Sequence, residues 1–217
     1  MRVALFDFDH TLLQADSNQL WIDYLHGRGL IDSAALAKHA GFMQDYRAGT
    51  LDFMALDAFR GGVDAAIPAS RIDACRADFT KNSLLAAVAP GAGQLLRGLR
   101  DQQVLTMVVS ASRESLVRPV AEHLGIEQVI AADSRCPGGP EVPCFGAGKI
   151  DHVDFVLAGL GTSLDALDRS WFYSDSHNDL PLLERVTDPV AVDPDPVLTD
   201  VARRRGWPVI SLAGARW

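Results

Sequence analysis

The chain has 217 residues, 48% of them hydrophobic and 22% charged, enough for one sizeable core plus a small second unit, which excludes a disordered tail protein. Twenty-eight acidic against 20 basic residues give a net charge of -8, which argues against a nucleic-acid binder, since such proteins cluster positive charge to meet phosphates. Three cysteines (Cys75, Cys136, Cys144) are too few for a disulfide framework and no apolar run is long enough to cross a bilayer, so a cytoplasmic setting without membrane partners is expected.

In chain order, the first predicted strand spans 3–8 and runs into Phe6-Asp7-Phe8-Asp9-His10-Thr11. From 14 to 88 no strand pattern appears, only helical spacing over 20–25, 34–46, 51–59 and 72–79. A right-handed crossover needs a single helix, so residues 15–87 read as an inserted all-helical cap. Further strands are predicted at 105–110, 129–132, 170–173, 190–192 and 209–211, with helices over 114–124 and 150–160. This alternation specifies an α/β fold: a Rossmann-like three-layer core with a parallel sheet, formed by residues 1–14 and 88–217. The Gly/Pro-rich run 136–148 reads as a turn-rich excursion or hairpin. Sheets of this kind bind ligands outside the carboxyl ends of their strands.

Two aspartates, Asp7 and Asp9, share one face of extended chain at the first of those ends. Like charges so close are costly unless a cation or a shared proton relieves them. A second cluster, Asp175-Ser176-His177-Asn178-Asp179, follows the strand at 170–173. A single aspartate after a strand is an ordinary turn former or helix cap; two clusters after two strands indicate a site. Their hard oxygens, without Cys or His at metal-binding spacing, favour Mg2+ over zinc. Ser110 ends another strand, and Lys149 opens a helix, where the macrodipole mildly disfavours it unless an anion is near. A hydroxyl, an ammonium, helix-start amides and a magnesium ion around a carboxylate form a phosphate-sized anion site suited to phosphoryl transfer. Gly146-Ala147-Gly148-Lys149 is not a Walker loop, since the upstream glycine is missing and Ile150 stands where Ser or Thr is needed.

The ordered set Asp-Phe-Asp-His-Thr (7–11), Ser110, Lys149 and Ser-Asp-Ser-His-Asn-Asp-Leu (174–180) resembles the four motifs of the haloacid dehalogenase-like superfamily. With a helical insertion between the first two motifs, it resembles the phosphoserine-phosphatase-like branch along its whole length. The resemblance implies that Asp7 is the nucleophile, forming an aspartyl-phosphate, and that Asp9 is the general acid and then the base. It implies a magnesium ion held by Asp7, Asp175 and the Asp9 backbone carbonyl, with Asp179 supporting the metal or its waters. Ser110 and Lys149 would grip the phosphate, with Thr11 and Asn178 beside it. His10 and His177 lie within the motifs but are not required by the chemistry.

The same branch uses an acidic residue nine positions after the nucleophile to recognise a substrate amine. That position is Asp16, shorter than the usual glutamate. Arg60, with Arg47 behind it, is the candidate for a substrate carboxylate or phosphate, and Trp21 and Tyr24 either line a pocket or pack in a core. The expected function is a magnesium-dependent phosphomonoesterase for a small, phosphoserine-like or histidinol-phosphate-like metabolite. A phosphotransferase or phosphomutase, or a non-catalytic metabolite-binding module, are the alternatives. A dehalogenase fits worse, needing neither magnesium nor an acid at Asp9.

Overall fold

A computed structural model describes residues 1–134 and 137–214; Cys136 lies outside them. The chain divides into two compact units, one formed by 1–14 with 87–217 and the other by 15–86.

The first unit is built on six parallel strands: β1 (Arg2–Phe6), β2 (Leu105–Val109), β3 (Gln128–Ile130), β4 (Arg169–Ser174), β5 (Asp188–Val192) and β6 (Val209–Ile210). Their order in the sheet is β3-β2-β1-β4-β5-β6. Each expected strand is present, and β1 is central, with Leu5 between Met107 and Phe172. Residues 3–6 of β1 are fully buried, which explains why the strand reads as a continuous apolar run and not as an alternation. Leu5, Met107, Phe172, Val153, Leu157 and Leu183 belong to one core cluster. The chain leaves and re-enters this unit at adjacent points: Gln14 N–H donates to Ala87 O at 2.8 Å, and Ala89 N–H to Leu12 O at 2.9 Å.

β1 ends two residues before the sequence pattern suggests. Phe8 O instead accepts from the N–H groups of Leu12 and Leu13, each at 3.0 Å, so the chain turns immediately after the strand. Within that turn His10 adopts φ 57°, a left-handed conformation that costs an L residue energy.

The second unit contains four helices, α1 (Ser17–Gly27), α2 (Ser33–Ala48), α3 (Phe53–Ala65) and α4 (Ala69–Phe79). The first three begin with the same device: Asp16, Asp32 and Asp52 accept hydrogen bonds from the N–H groups of Gln19, Ala35 and Ala55. Trp21, Ile22, Leu25, Leu56 and Phe79 are buried in this unit, with Trp21 and Tyr24 stacked at 5.6 Å and Phe79 edge-on to Trp21 at 5.2 Å.

Five helices complete the first unit: α5 (Ala92–Asp101), α6 (Glu114–Leu124), α7 (Gly148–Gly159), the short α8 (Leu180–Leu183) and α9 (Pro196–Arg205). α6 and α7 fall where predicted, whereas α5, α8 and α9 are helices that the sequence reading did not place. The described residues of the excursion before α7 form turns and bends without a strand. Among the described residues no helix is long and apolar enough to cross a membrane.

Candidate active site

Three adjacent strands converge on the site. β1 leads into Asp7, whose N–H still donates to Tyr173 O at 2.9 Å, so the nucleophile candidate sits on backbone that the sheet holds fixed. β2 leads into Ser110, whose N–H donates to Ile130 O at 2.8 Å, and β4 leads into Asp175. The chain runs β1-β2-β3 to one side of the sheet and β4-β5-β6 to the other, which makes the β1/β4 boundary the crevice where an open α/β sheet binds its ligand.

Lys149 stands in the first turn of α7. Its ammonium lies 2.8 Å from Asp7 Oδ1 and 2.7 and 2.8 Å from the two Asp179 oxygens, with only 2% of the residue exposed. Burial alone would lower its pKa; the charges and hydrogen bonds of Asp179 and Asp7 outweigh that, and the lysine is held firmly protonated. The anionic partner that a lysine at a helix start requires is therefore present twice. A Cβ at Gly148 would meet Pro143 O at 2.1 Å, so only glycine lets the loop pass this close to the start of α7.

The carboxylates outnumber that cation. Burial, then the charges of Asp7 and Asp179, hold the Asp175 carboxyl well above the usual carboxylate range. Asp179 is pushed up to about 6, by burial first and against the pull of Lys149. Two carboxylates on one ammonium, with Asp175 close enough to feel the charge of both, are an electrostatic deficit that a divalent cation relieves, and all the donors are hard oxygens, so magnesium fits the chemistry of the set. Among the described residues no three His, Cys, Asp or Glu side chains are gathered as a preformed metal cluster. Asp179, expected beside the metal, bonds to Lys149 and accepts from the Ser174 hydroxyl, which donates to its Oδ2 at 2.7 Å.

Thr11, expected beside the phosphate, joins the two motif loops. Its hydroxyl donates to Asp175 Oδ1 at 3.2 Å and accepts the Asp175 N–H at 3.1 Å, pinning the β4 loop to the β1 loop. Asn178 is half-buried, with its backbone N–H and its side-chain amide both directed to Ser176 Oγ, at 3.2 and 3.4 Å. His177 is tied to Asp195, which accepts from its N–H at 2.6 Å and lies 2.8 Å from its Nδ1, while the Asp195 N–H donates to Asp175 O at 2.8 Å. Cys144 is buried beside the site, its thiol held up at about 12 by burial and by the charges of Asp179 and Asp7, and so is inert at neutral pH. Cys75 and Cys144 are free.

Ser112 carries no sequence signal beyond a Ser-x-Ser spacing, yet it reaches the site: 1% exposed, its hydroxyl donates to Asp9 Oδ2.

In the helical unit, Asp16 caps α1 by accepting the Gln19 N–H at 2.8 Å, while Arg60 is 8% exposed and Arg47 is on the surface. Trp21 donates to Asp64 at 3.1 Å and Tyr24 to Asp78 at 2.7 Å, which places both in the packing of this unit. His39, absent from the sequence reading, is fully buried with its Nδ1 3.1 Å from Gln19 Oε1.

A family model for haloacid dehalogenase-like hydrolases matches residues 4–184. The chain belongs to this family. A histidinol-phosphatase from Neisseria meningitidis serogroup C is 33% identical over 97% of this chain and 98% of its own length. Among solved structures, a Bordetella pertussis protein of unknown function is 36% identical, with TM-score 0.86 over 97% of this chain and 98% of that one. A phosphoserine phosphohydrolase-like protein from Francisella tularensis shares the fold, with TM-score 0.67 at 17% identity over 97% of this chain and 94% of that one. The expected enzyme class of this haloacid dehalogenase-like protein, a hydrolase of the phosphatase kind, holds, as does its likeness to the phosphoserine-phosphatase branch.

Proposed function

We propose that this chain is a magnesium-dependent phosphomonoesterase that hydrolyses a small, amine-bearing metabolite, with histidinol phosphate as the leading substrate, through an aspartyl-phosphate on Asp7. The observation that carries this reading is the buried Lys149 ammonium bridging Asp7 and Asp179 at the end of the central strand. It neutralises the nucleophile's neighbourhood so that an anionic phosphate can approach, and it holds one Asp7 oxygen in place beside the site. The 33% identity to a histidinol-phosphatase over nearly the full length of both chains supports that substrate over phosphoserine, as does the absence of the branch's usual glutamate at Asp16.

An Asp7 oxygen forms a bond to phosphorus as the bond to the substrate oxygen breaks, and Asp9 gives its proton to the departing alkoxide. Asp9, now a carboxylate, takes a proton from water; the hydroxide attacks phosphorus, the bond to Asp7 breaks, and inorganic phosphate leaves. Ser110 and Lys149 donate hydrogen bonds to the equatorial oxygens throughout. Magnesium, held by the Asp7 and Asp175 carboxylates and the Asp9 peptide oxygen, would supply further neutralisation of the transferring group.

The test is phosphate release from histidinol phosphate, phosphoserine and p-nitrophenyl phosphate, with magnesium or EDTA and with water the only acceptor. The expected result is magnesium-dependent release, with kcat/KM highest for histidinol phosphate. Undiminished release in EDTA removes the metal, and a panel led by a substrate without an amine removes the substrate class.

A further inference from the structure

We propose that Ser112 is a positioning residue for Asp9, holding one of its carboxylate oxygens so that the other faces the leaving group. This rests on the reading of Asp9 as the acid and base of the reaction.

The turn after β2 has its hydrogen-bonding groups engaged in a consistent pattern. Ser112 O accepts the Ala132 N–H at 2.9 Å, Ser112 N–H donates to Ser110 Oγ at 3.0 Å, and Ser112 Oγ donates to Asp9 Oδ2. The main chain of residue 112 is thus anchored to the segment after β3, and its side chain has a defined origin from which to reach Asp9. One residue orients two parts of the site: the amide occupies a lone pair of the Ser110 hydroxyl, leaving that proton for a phosphate oxygen, and the hydroxyl fixes the Asp9 carboxylate.

Asp9 needs such a hold more than Asp7 does. Asp7 is buried, on the ladder and gripped by Lys149, whereas Asp9 is half-buried, beyond the end of β1 and next to the left-handed His10. A proton donor must lie within hydrogen-bond reach of the departing oxygen, and a displacement of about 1 Å costs on the order of 100-fold in rate. The partner's chemistry also suits the task. Asp9 alternates between acid and carboxylate during turnover, and a hydroxyl both donates and accepts, so the contact survives in either state. A lysine or a backbone N–H in the same place would hold only the anion.

Asp9 contributes most when the leaving group is a poor one, and this gives Ser112 a signature that a merely structural serine lacks. With Ser112→Ala, kcat/KM for an alkyl phosphate should fall about 10- to 100-fold, while kcat/KM for p-nitrophenyl phosphate, whose phenolate leaves without a proton, falls less than about 3-fold. The nearly isosteric Ser112→Cys, a weak donor, should behave like the alanine variant if the latter fails to fold, and Ser112→Thr should recover most of the alkyl phosphate activity. In an Asp9→Asn background, Ser112→Ala should cost nothing more. An equal loss on both esters, or a further loss added to Asp9→Asn, overturns the role of Ser112 and leaves Asp9 untouched. If Asp9→Asn itself treats the two esters alike, the acid assignment fails first.

Discussion

The two units of this protein use aspartate in opposite ways. In the helical unit, Asp16, Asp32 and Asp52 cap helices, and Asp64 and Asp78 pair with Arg76 and Arg28. In the sheet unit, Asp7 and Asp179 share one buried lysine and Asp175 feels the charge of both, with two of the carboxyls held above their ordinary range. An aspartate that satisfies a local backbone need is inexpensive, and it is compatible with almost any function; an aspartate buried beside others is costly and is retained for chemistry. The two ion pairs that best represent the units have similar lengths, 2.8 Å for Lys149–Asp7 and 2.9 Å for Arg76–Asp64, and similarly buried carboxylates, so it is the cation that separates them, 3% exposed in Lys149 and 30% in Arg76.

The largest expected effect tests that contrast. Lys149→Met leaves two carboxylates buried without their cation, and should lower stability by about 3–5 kcal/mol and kcat by about 100- to 1000-fold. Arg76→Met breaks a pair that water reaches, and should cost about 1 kcal/mol or less without changing kcat. Chemical denaturation and steady-state kinetics on the two variants measure both differences; equal stability losses would abolish the distinction drawn between the units.

Acid should move the units in opposite directions. His39 is held below its ordinary pKa by burial, so the unfolded chain takes up a proton first and the fold loses stability as pH falls below about 6.5, by at most about 1.4 kcal/mol per pH unit. Asp179 is raised to about 6, so in metal-free protein its contribution is full below the unfolded carboxylate range near 4 and is lost as pH rises through 6. Urea midpoints between pH 4 and 7 for wild type, His39→Gln and Asp179→Asn should therefore show the His39 variant less sensitive to acid and the Asp179 variant lacking the decline between 4 and 6. Parallel curves for all three would refute both assignments.

The smallest effect separates the two roles available to Asp16. Asp16→Ala removes a helix cap and should cost about 1 kcal/mol in thermal unfolding, whereas Asp16→Ser keeps the cap and removes the charge. If the carboxylate also meets a substrate amine, the serine variant loses preference for histidinol phosphate at nearly unchanged stability; an unaltered substrate ranking leaves Asp16 as a cap alone.

What the sequence disclosed follows the same division. Apolar runs located all six strands, most plainly the buried central ones, which need no polar face, and the residues directly after β1, β2 and β4 are Asp7, Ser110 and Asp175. α5 and α9 were passed over although both carry apolar residues at helical spacing, Leu96 and Leu99 in the first and Leu198, Val201 and Ala202 in the second. Asp179 and Thr11 were legible as members of the site but not in their contacts: nothing in one dimension indicates that the Asp179 carboxylate goes to Lys149 or that the Thr11 hydroxyl goes to Asp175. Ser112 was legible only as part of the strand end Ser110-Ala111-Ser112, without a role, because a serine two residues past a strand is an ordinary turn former and its partner lies 103 residues earlier.

Asp7 as the atom that carries the phosphoryl group can be tested by rapid acid quench of the Asp9→Asn variant with a 32P-labelled aryl phosphate and magnesium, followed by peptide mapping. Near-stoichiometric label on the peptide containing Asp7, lost in Asp7→Asn, is the predicted result. Label on another residue, or turnover with no covalent label at any time point, would contradict it.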